Sequence, residues 1–332
     1  MSHDRDFETI VREVTTSYAG YADKTAGHEV ELAQRTETVR ARLARLDDTD
    51  DNGILAAFRE WIGFFRDRHL IVRFPPDREH PEELRFDDRR AELRLEGIEP
   101  DAMLLRIPGM AISMKAPLEA LLREHWPQLT GRRFLIIDLR GAMGGTDAVY
   151  AELVPLLYTQ PIRLVGCDFR ASAGNAAHFR VFAEDANWPA EVRDWARRTA
   201  DQMDAAPGSF VPAVPDAEVS LDEVLPRPER VGVMIDGRCG SANEEFLLMA
   251  RQSRKVTLFG SPSNGCLDYS NQRPIPLPSR RFLLQVPISR SRRLPENPVD
   301  PTGILPDIPI SDSEPDPIGR ALAHLRRLPR EG

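Results

Sequence analysis

Two short runs of unbroken apolar residues, Phe134-Leu-Ile-Ile137 and Val231-Gly-Val-Met-Ile235, constrain this chain more than any other feature. A strand with one face in water alternates apolar and polar residues, whereas a strand covered on both faces is apolar throughout. Each run leads into a glycine-containing turn and then into a helical pattern. The spacing predicts an α/β core from about residue 90 onward, with strands at Ala91–Leu95, Met103–Ile107, Phe134–Asp138, Ile162–Val165, Val231–Ile235 and Val256–Phe259. Helices are expected between them at Leu118–His125, Thr146–Tyr158 and Ala242–Gln252.

Outside that alternation the pattern changes. Residues 1–73 read as a helical N-terminal subdomain, in which Leu55, Phe58, Ile62 and Phe65 share one helix face. A polar linker follows from Pro75-Pro76 to Glu83, and residues 74–332 form the expected core. Within it, 167–229 is irregular apart from a helix around Ala190–Met203, and reads as a lid or wall over a cleft. The stretch Arg273–Ile310 alternates short strands with proline-rich turns, a β-rich C-terminal part that ends in a helix around Pro317–Leu325.

Composition excludes several function classes. With 41% hydrophobic and 29% charged residues over 332 positions, the chain is an ordinary soluble globular protein, large enough for one elaborate domain or two. A formal charge of −8 argues against a nucleic-acid partner or an anionic membrane surface. Cys167, Cys239 and Cys266 have neither a disulfide framework nor zinc-ligand spacing, and no metal or organic cofactor is expected. No apolar stretch is long enough to span a bilayer. The residues after Met1 lack a signal peptide's basic and apolar regions, so for a complete chain the expected location is the cytoplasm.

The chemistry concentrates where the two apolar runs end. Ser241, in Asp236-Gly-Arg-Cys-Gly-Ser241-Ala-Asn-Glu-Glu245, stands where a buried strand breaks into a helix N-terminus. Unpaired backbone N–H groups and the positive end of the helix dipole can stabilise an oxyanion there, as a nucleophilic serine requires. Serine is equally a favoured N-cap, and on this segment alone the cap is the commoner case. The other run continues as Asp138-Leu-Arg140-Gly-Ala-Met-Gly144-Gly145-Thr146, where adjacent glycines let a backbone approach a ligand closely. It lacks the Gly-Lys-Ser/Thr and G-x-G-x-x-G patterns of nucleotide loops. Asp138 and Arg140 read most simply as a structural pair, and Glu244 and Glu245 as acidic residues suited to the helix dipole.

Four segments, in order, resemble those of the S41 serine peptidases, the family of C-terminal processing and tricorn-type proteases. Phe65-Arg-Asp67-Arg-His69-Leu-Ile-Val is similar to its Asp-x-His segment, and Ile136-Ile-Asp-Leu-Arg-Gly-Ala-Met-Gly-Gly145 to its I-D-L-R-x-N-x-G-G turn. Gly240-Ser241-Ala242-Asn243-Glu244 resembles its S-A-x-E motif. Gly260-Ser-Pro-Ser-Asn-Gly265 and Asp300-Pro-Thr-Gly303-Ile-Leu-Pro306-Asp307 are similar to G-x-x-T-x-G and E-x-x-G-V-x-P-D. The resemblance implies a ClpP/crotonase-like α/β core.

The resemblance also implies a catalytic arrangement. Processing proteases of the family use a serine–lysine dyad with the lysine directly after Gly265, but that position is Cys266, and Lys24, Lys115 and Lys255 lie elsewhere. The tricorn-type branch uses a histidine and a carboxylate, which fall here at His69 and Asp300. The implied triad is Ser241, His69 and Asp300, with an oxyanion hole at the N–H groups of Gly144 or Gly145 and of Ala242. His178 is the rival base. Ala142, Met143 and Arg68 depart from the family's pattern, and between Phe74 and Arg106 there is no room for a PDZ domain. The expected protein is a PDZ-less serine peptidase acting on peptides or proteins through an acyl-enzyme. A catalytically decayed relative that binds a peptide or small apolar ligand is the alternative, and a non-peptidase acyl hydrolase a third reading.

Overall fold

In the computed structural model, which describes residues 2–77 and 92–329, the two apolar runs are neighbouring parallel strands at the centre of a six-stranded sheet. The strand order is Ile308–Pro309, Val256–Gly260, Arg230–Ile235, Phe134–Asp138, Ala102–Arg106 and Arg94–Glu99. All pairs are parallel except the last, Arg94–Glu99, which runs antiparallel to its neighbour. The unbroken apolar character follows from two separate cores. Leu135, Ile137, Val231, Val233 and Ile235 face one core, which takes in Phe246 and Leu247 of the Ala242–Ala250 helix. Phe134, Ile136, Met234 and Phe259 face the other, closed by Ala321, Leu322 and Leu325 of the Pro317–Arg327 helix. Successive side chains point to opposite faces, so a strand covered on both sides has no position left for a polar residue.

The chain forms two compact units, the sheet just described belonging to the one built from residues 84–164, 217–267 and 299–332. The other consists of residues 1–83, 165–216 and 268–298. Its sheet is antiparallel throughout: Ile71–Arg73, Leu283–Ser291, Cys167–Arg170 and Phe210–Val214 in order, with Tyr269–Pro276 also paired to Leu283–Ser291. The helices Ser2–Ser17, Glu29–Leu43 and Asp51–Ile62 contribute Phe7, Ile10, Leu43, Phe58 and Trp61 to its core, with Val286 and Phe282 from the sheet side.

The expected mixed α/β architecture with a helical N-terminal part is what the structure has, and most expected strands agree to within a residue or two. The helix expected over Thr146–Tyr158 is instead two 3-10 turns, Asp147–Val149 and Ala151–Leu153, followed by the short helix Val154–Leu157. Pro155 explains the break. Proline has no N–H and clashes with the carbonyl four residues before it, but it fits the first turn of a helix, where it sits here. The 167–229 segment is more ordered than expected, since it also holds the helix Ala173–Ala183 and strands at Cys167–Arg170, Phe210–Val214 and Ala217–Val219. Residues 78–83 of the expected linker and the expected strand start at Ala91 lie outside the described residues, as does much of the interval where no PDZ domain is expected.

Phe259 is fully buried on the sheet face covered by the C-terminal helix. Phe259→Ala is expected to destabilise the protein by about 3–5 kcal/mol, through lost transfer energy plus the cavity left behind. A denaturant melt checks this as a lowered midpoint with little change in slope.

Candidate active site

Ser241 stands between the Arg230–Ile235 strand and the Ala242–Ala250 helix, half-buried, with φ 59° and ψ −122°. A conventional N-cap residue has extended backbone at negative φ, whereas Ser241 forms a capping box with Glu244 at positive φ. Positive φ in a residue with a Cβ costs on the order of 1–3 kcal/mol and persists only where the surroundings over-determine it.

Those surroundings centre on Glu244. Its carboxylate is fully buried and accepts four hydrogen bonds: Ser241 N–H at 3.0 Å, Ser263 Oγ–H at 2.6 Å, Gly265 N–H at 2.7 Å and Cys266 N–H at 3.0 Å. The acidic residue expected to serve the helix dipole thus staples the serine turn to the 263–266 loop. Glycines make the close approach feasible. A Cβ on Gly240 would come within 2.5 Å of Cys266 Sγ, and one on Gly265, at φ +73°, within 2.5 Å of the Pro301 carbonyl oxygen. Gly303, at φ +77°, packs as tightly on the Ser263 backbone, whose Oγ also accepts from Ile304 N–H at 2.6 Å. Asp300 caps the same junction, with Oδ1 accepting from Leu267 N–H at 2.6 Å.

The second turn meets the first at Gly144. A Cβ placed there would lie 2.8 Å from Ser241 Cβ and 3.5 Å from its Oγ, so only glycine lets the backbone lie against the serine. This turn is fixed through the residues flanking its glycines. Ala142 N–H donates to Leu139 O, Met143 N–H to Pro108 O and Thr146 N–H to Met110 O, while Asn243 Nδ2 donates to Ala142 O at 3.2 Å. The Ala242 N–H is one of the first-turn donors that a helix leaves without an internal partner. The sequence-predicted Ser241, Gly144 and Ala242 are therefore brought together, and Gly145 follows directly.

Asp138 and Arg140 form the expected structural pair. The buried Asp138 carboxylate accepts from Arg140 Nε at 2.9 Å and forms ion pairs with Arg140 and Arg106, both at 2.8 Å. Cys239 is buried and donates its thiol hydrogen to Leu139 O at 2.9 Å, and burial pushes its pKa well up, which suppresses the reactive thiolate. Among the described residues, no group of three or more His, Cys, Asp or Glu side chains could hold a metal ion.

His69 belongs to the other unit. Arg66, at φ 48°, ends the preceding helical turn, and His69 follows three residues later, almost wholly buried. Its Nδ1 lies 2.7 Å from Tyr269 O. A carbonyl oxygen only accepts, so Nδ1 carries the proton and, in the neutral ring, Nε2 is left unprotonated. The backbone is fixed as well: Asp67 Oδ1 accepts from His69 N–H at 2.8 Å and Asp67 Oδ2 from Tyr18 O–H at 2.7 Å. Burial raises the Asp67 pKa, against the Tyr18 hydrogen bond and the attraction of His69. Tyr269 is tied in turn through its hydroxyl to Asp23 Oδ2 at 2.8 Å. His178 lies on the Ala173–Ala183 helix, where burial and then Arg273 disfavour its charged form.

Sequence reasoning missed Tyr18 and Tyr269, and it named Asp67 in the Asp-x-His segment without giving it a role. Asp67 carried a signal, since an aspartate two residues before another residue can accept that residue's N–H. The Tyr269 contact carried none, because it uses a backbone carbonyl that every residue type has.

A serine at positive φ thus stands at a strand-to-helix turn with a glycine turn laid against it. The model of peptidase family S41 matches residues 101–310, and the chain belongs to that family. His69 lies outside the matched residues. No curated protein matches the chain. Among solved structures, it is similar to a putative peptidase from Parabacteroides merdae ATCC 43184, at 13% identity and TM-score 0.61 over 98% of this chain and 97% of that one. Mature CPAF complexed with lactacystin gives 11% identity and TM-score 0.62 over 98% and 97%. The photosystem II D1 C-terminal processing protease gives 11% and 0.50 over 94% of each chain. At these identities the likeness is one of fold. Membership of the family supports peptidase function in general. No helix among the described residues is long and apolar enough to cross a membrane.

Glu244→Ala leaves four donors without their acceptor, three of them in fully buried hydrogen bonds. At about 1–3 kcal/mol for each buried donor left unsatisfied, the expected loss is several kcal/mol. Glu245→Ala, on the less buried neighbour, should cost under about 1 kcal/mol. Parallel thermal melts of the two variants check the contrast.

Proposed function

We propose that this protein is a serine peptidase that cleaves peptide bonds through an acyl-enzyme, without a metal or organic cofactor. Ser241 Oγ attacks the scissile carbonyl, and His69 Nε2 takes the hydroxyl proton and then delivers it to the leaving amine. The N–H groups of Ala242 and of Gly144 or Gly145 hold the oxyanion as it forms. Asp300 supplies the carboxylate that favours the imidazolium. A Ser–Lys dyad does not fit, because Cys266 occupies the family's lysine position.

The single observation that carries this reading is the backbone of Ser241. Its positive φ is held by a buried four-donor carboxylate and a glycine that admits the neighbouring turn. A ligand carrier with a decayed site has no use for that strain, whereas a nucleophile presented above a helix N-terminus does. The proton on His69 Nδ1 supports the same reading, since it leaves the other ring nitrogen basic. The substrates on this reading are peptides or proteins.

Peptide hydrolysis by purified variants tests the assignment. Ser241→Ala and His69→Ala should each lower kcat/KM by at least about 10⁴-fold, because members of such a unit fail together. Asp300→Asn should cost less, roughly 10- to 100-fold, because the Tyr269 carbonyl already fixes the histidine tautomer. Turnover by Ser241→Ala at the wild-type rate would refute the nucleophile. Full activity in His69→Ala would refute the base.

A further inference from the structure

Met143 is 55% exposed although its backbone is fixed on both sides. Its N–H donates to Pro108 O at 3.2 Å and its carbonyl accepts from Met110 N–H at 2.9 Å. It pairs across a parallel bridge with Gly109, where an added Cβ would lie only 3.7 Å from Met143 Cβ. Gly109 thus leaves the flank of the methionine uncovered. The next residue, Gly144, lies directly against Ser241. On the adjoining segment, Ala111 N would be 2.7 Å from a Cβ on Gly145, and the residue after it, Ile112, is 54% exposed. Two apolar side chains therefore stand open to solvent on pinned backbone, one residue away from the two glycines of the proposed oxyanion hole.

We propose that Met143, with Ile112 on the adjoining segment, forms the specificity-determining wall of a subsite that takes an apolar side chain next to the scissile bond. This rests on the reading of Ser241 as nucleophile and adds the substrate class: peptides with leucine, methionine, phenylalanine or a similar residue flanking the cleaved bond. Three physical points carry it. Exposed apolar surface on a pinned backbone is covered by substrate with little ordering cost to the enzyme. A flexible, polarisable thioether packs against several apolar shapes, so the subsite selects a class and not one residue. A charged substrate side chain there would lose hydration against methionine and isoleucine without gaining a partner.

Peptides identical except for Leu, Met or Phe against Asp or Lys at the positions flanking the cleaved bond test the inference. The wild-type protein should prefer the apolar set in kcat/KM by about tenfold or more. Met143→Ser should bring that ratio toward unity, and Met143→Arg should raise the peptides carrying Asp relative to those carrying Leu. Thermal melts within a few degrees of wild type would show that both variants are folded, as expected at an exposed position. An unchanged ratio in both folded variants, or no apolar preference in the wild type, overturns the subsite. Hydrolysis that persists in Ser241→Ala fails the nucleophile reading instead, and the subsite with it.

Discussion

A buried carboxylate with four hydrogen-bond donors around it, Glu244, is the interaction on which the serine turn depends. Taking an ionised carboxylate out of water is costly unless its oxygens are well satisfied, and here both oxygens accept two donors each. In return the carboxylate fixes backbone atoms of residues 241, 265 and 266 and the hydroxyl of Ser263 in one arrangement. The glycines at 240, 265 and 303 are the steric condition for this convergence, because a side chain at any of them would strike a neighbouring segment. The uncommon backbone of Ser241 is one product of that arrangement.

Much of the sheet was legible because burial on two faces writes itself directly into sequence. The runs Phe134–Ile137 and Val231–Ile235 have no polar residue on either face, and they lie in the two central strands. The helix expected across Thr146–Tyr158 failed on Pro155, which marks a first turn and not a helix interior. The antiparallel sheet was harder to read. Cys167–Arg170 and Phe210–Val214 are short, and their pairing brings together residues far apart in the chain that no local pattern predicts.

The candidate site divides along the same line. Ser241 and the two glycine turns were visible as motifs because their requirements are local: a sharp turn, a missing Cβ, a helix start. Glu244 was visible as a residue but not in its role, since three of its four partners lie 19 to 22 residues onward. The environment of His69 was the least legible. Its tautomer is set by a backbone carbonyl 200 residues away, and its main chain by an aspartate that borrows a hydroxyl from Tyr18. The helical N-terminal residues, which precede the family-matched region, thereby help to fix the imidazole of the proposed base.

The central claim is that Ser241 is the nucleophile, and covalent capture tests it most directly. Treatment with a fluorophosphonate, followed by digestion and mass spectrometry, locates the modified residue. The account predicts one adduct, on the peptide containing Ser241, and none after His69→Ala. An adduct on another serine, or none on the folded wild-type protein, would contradict it.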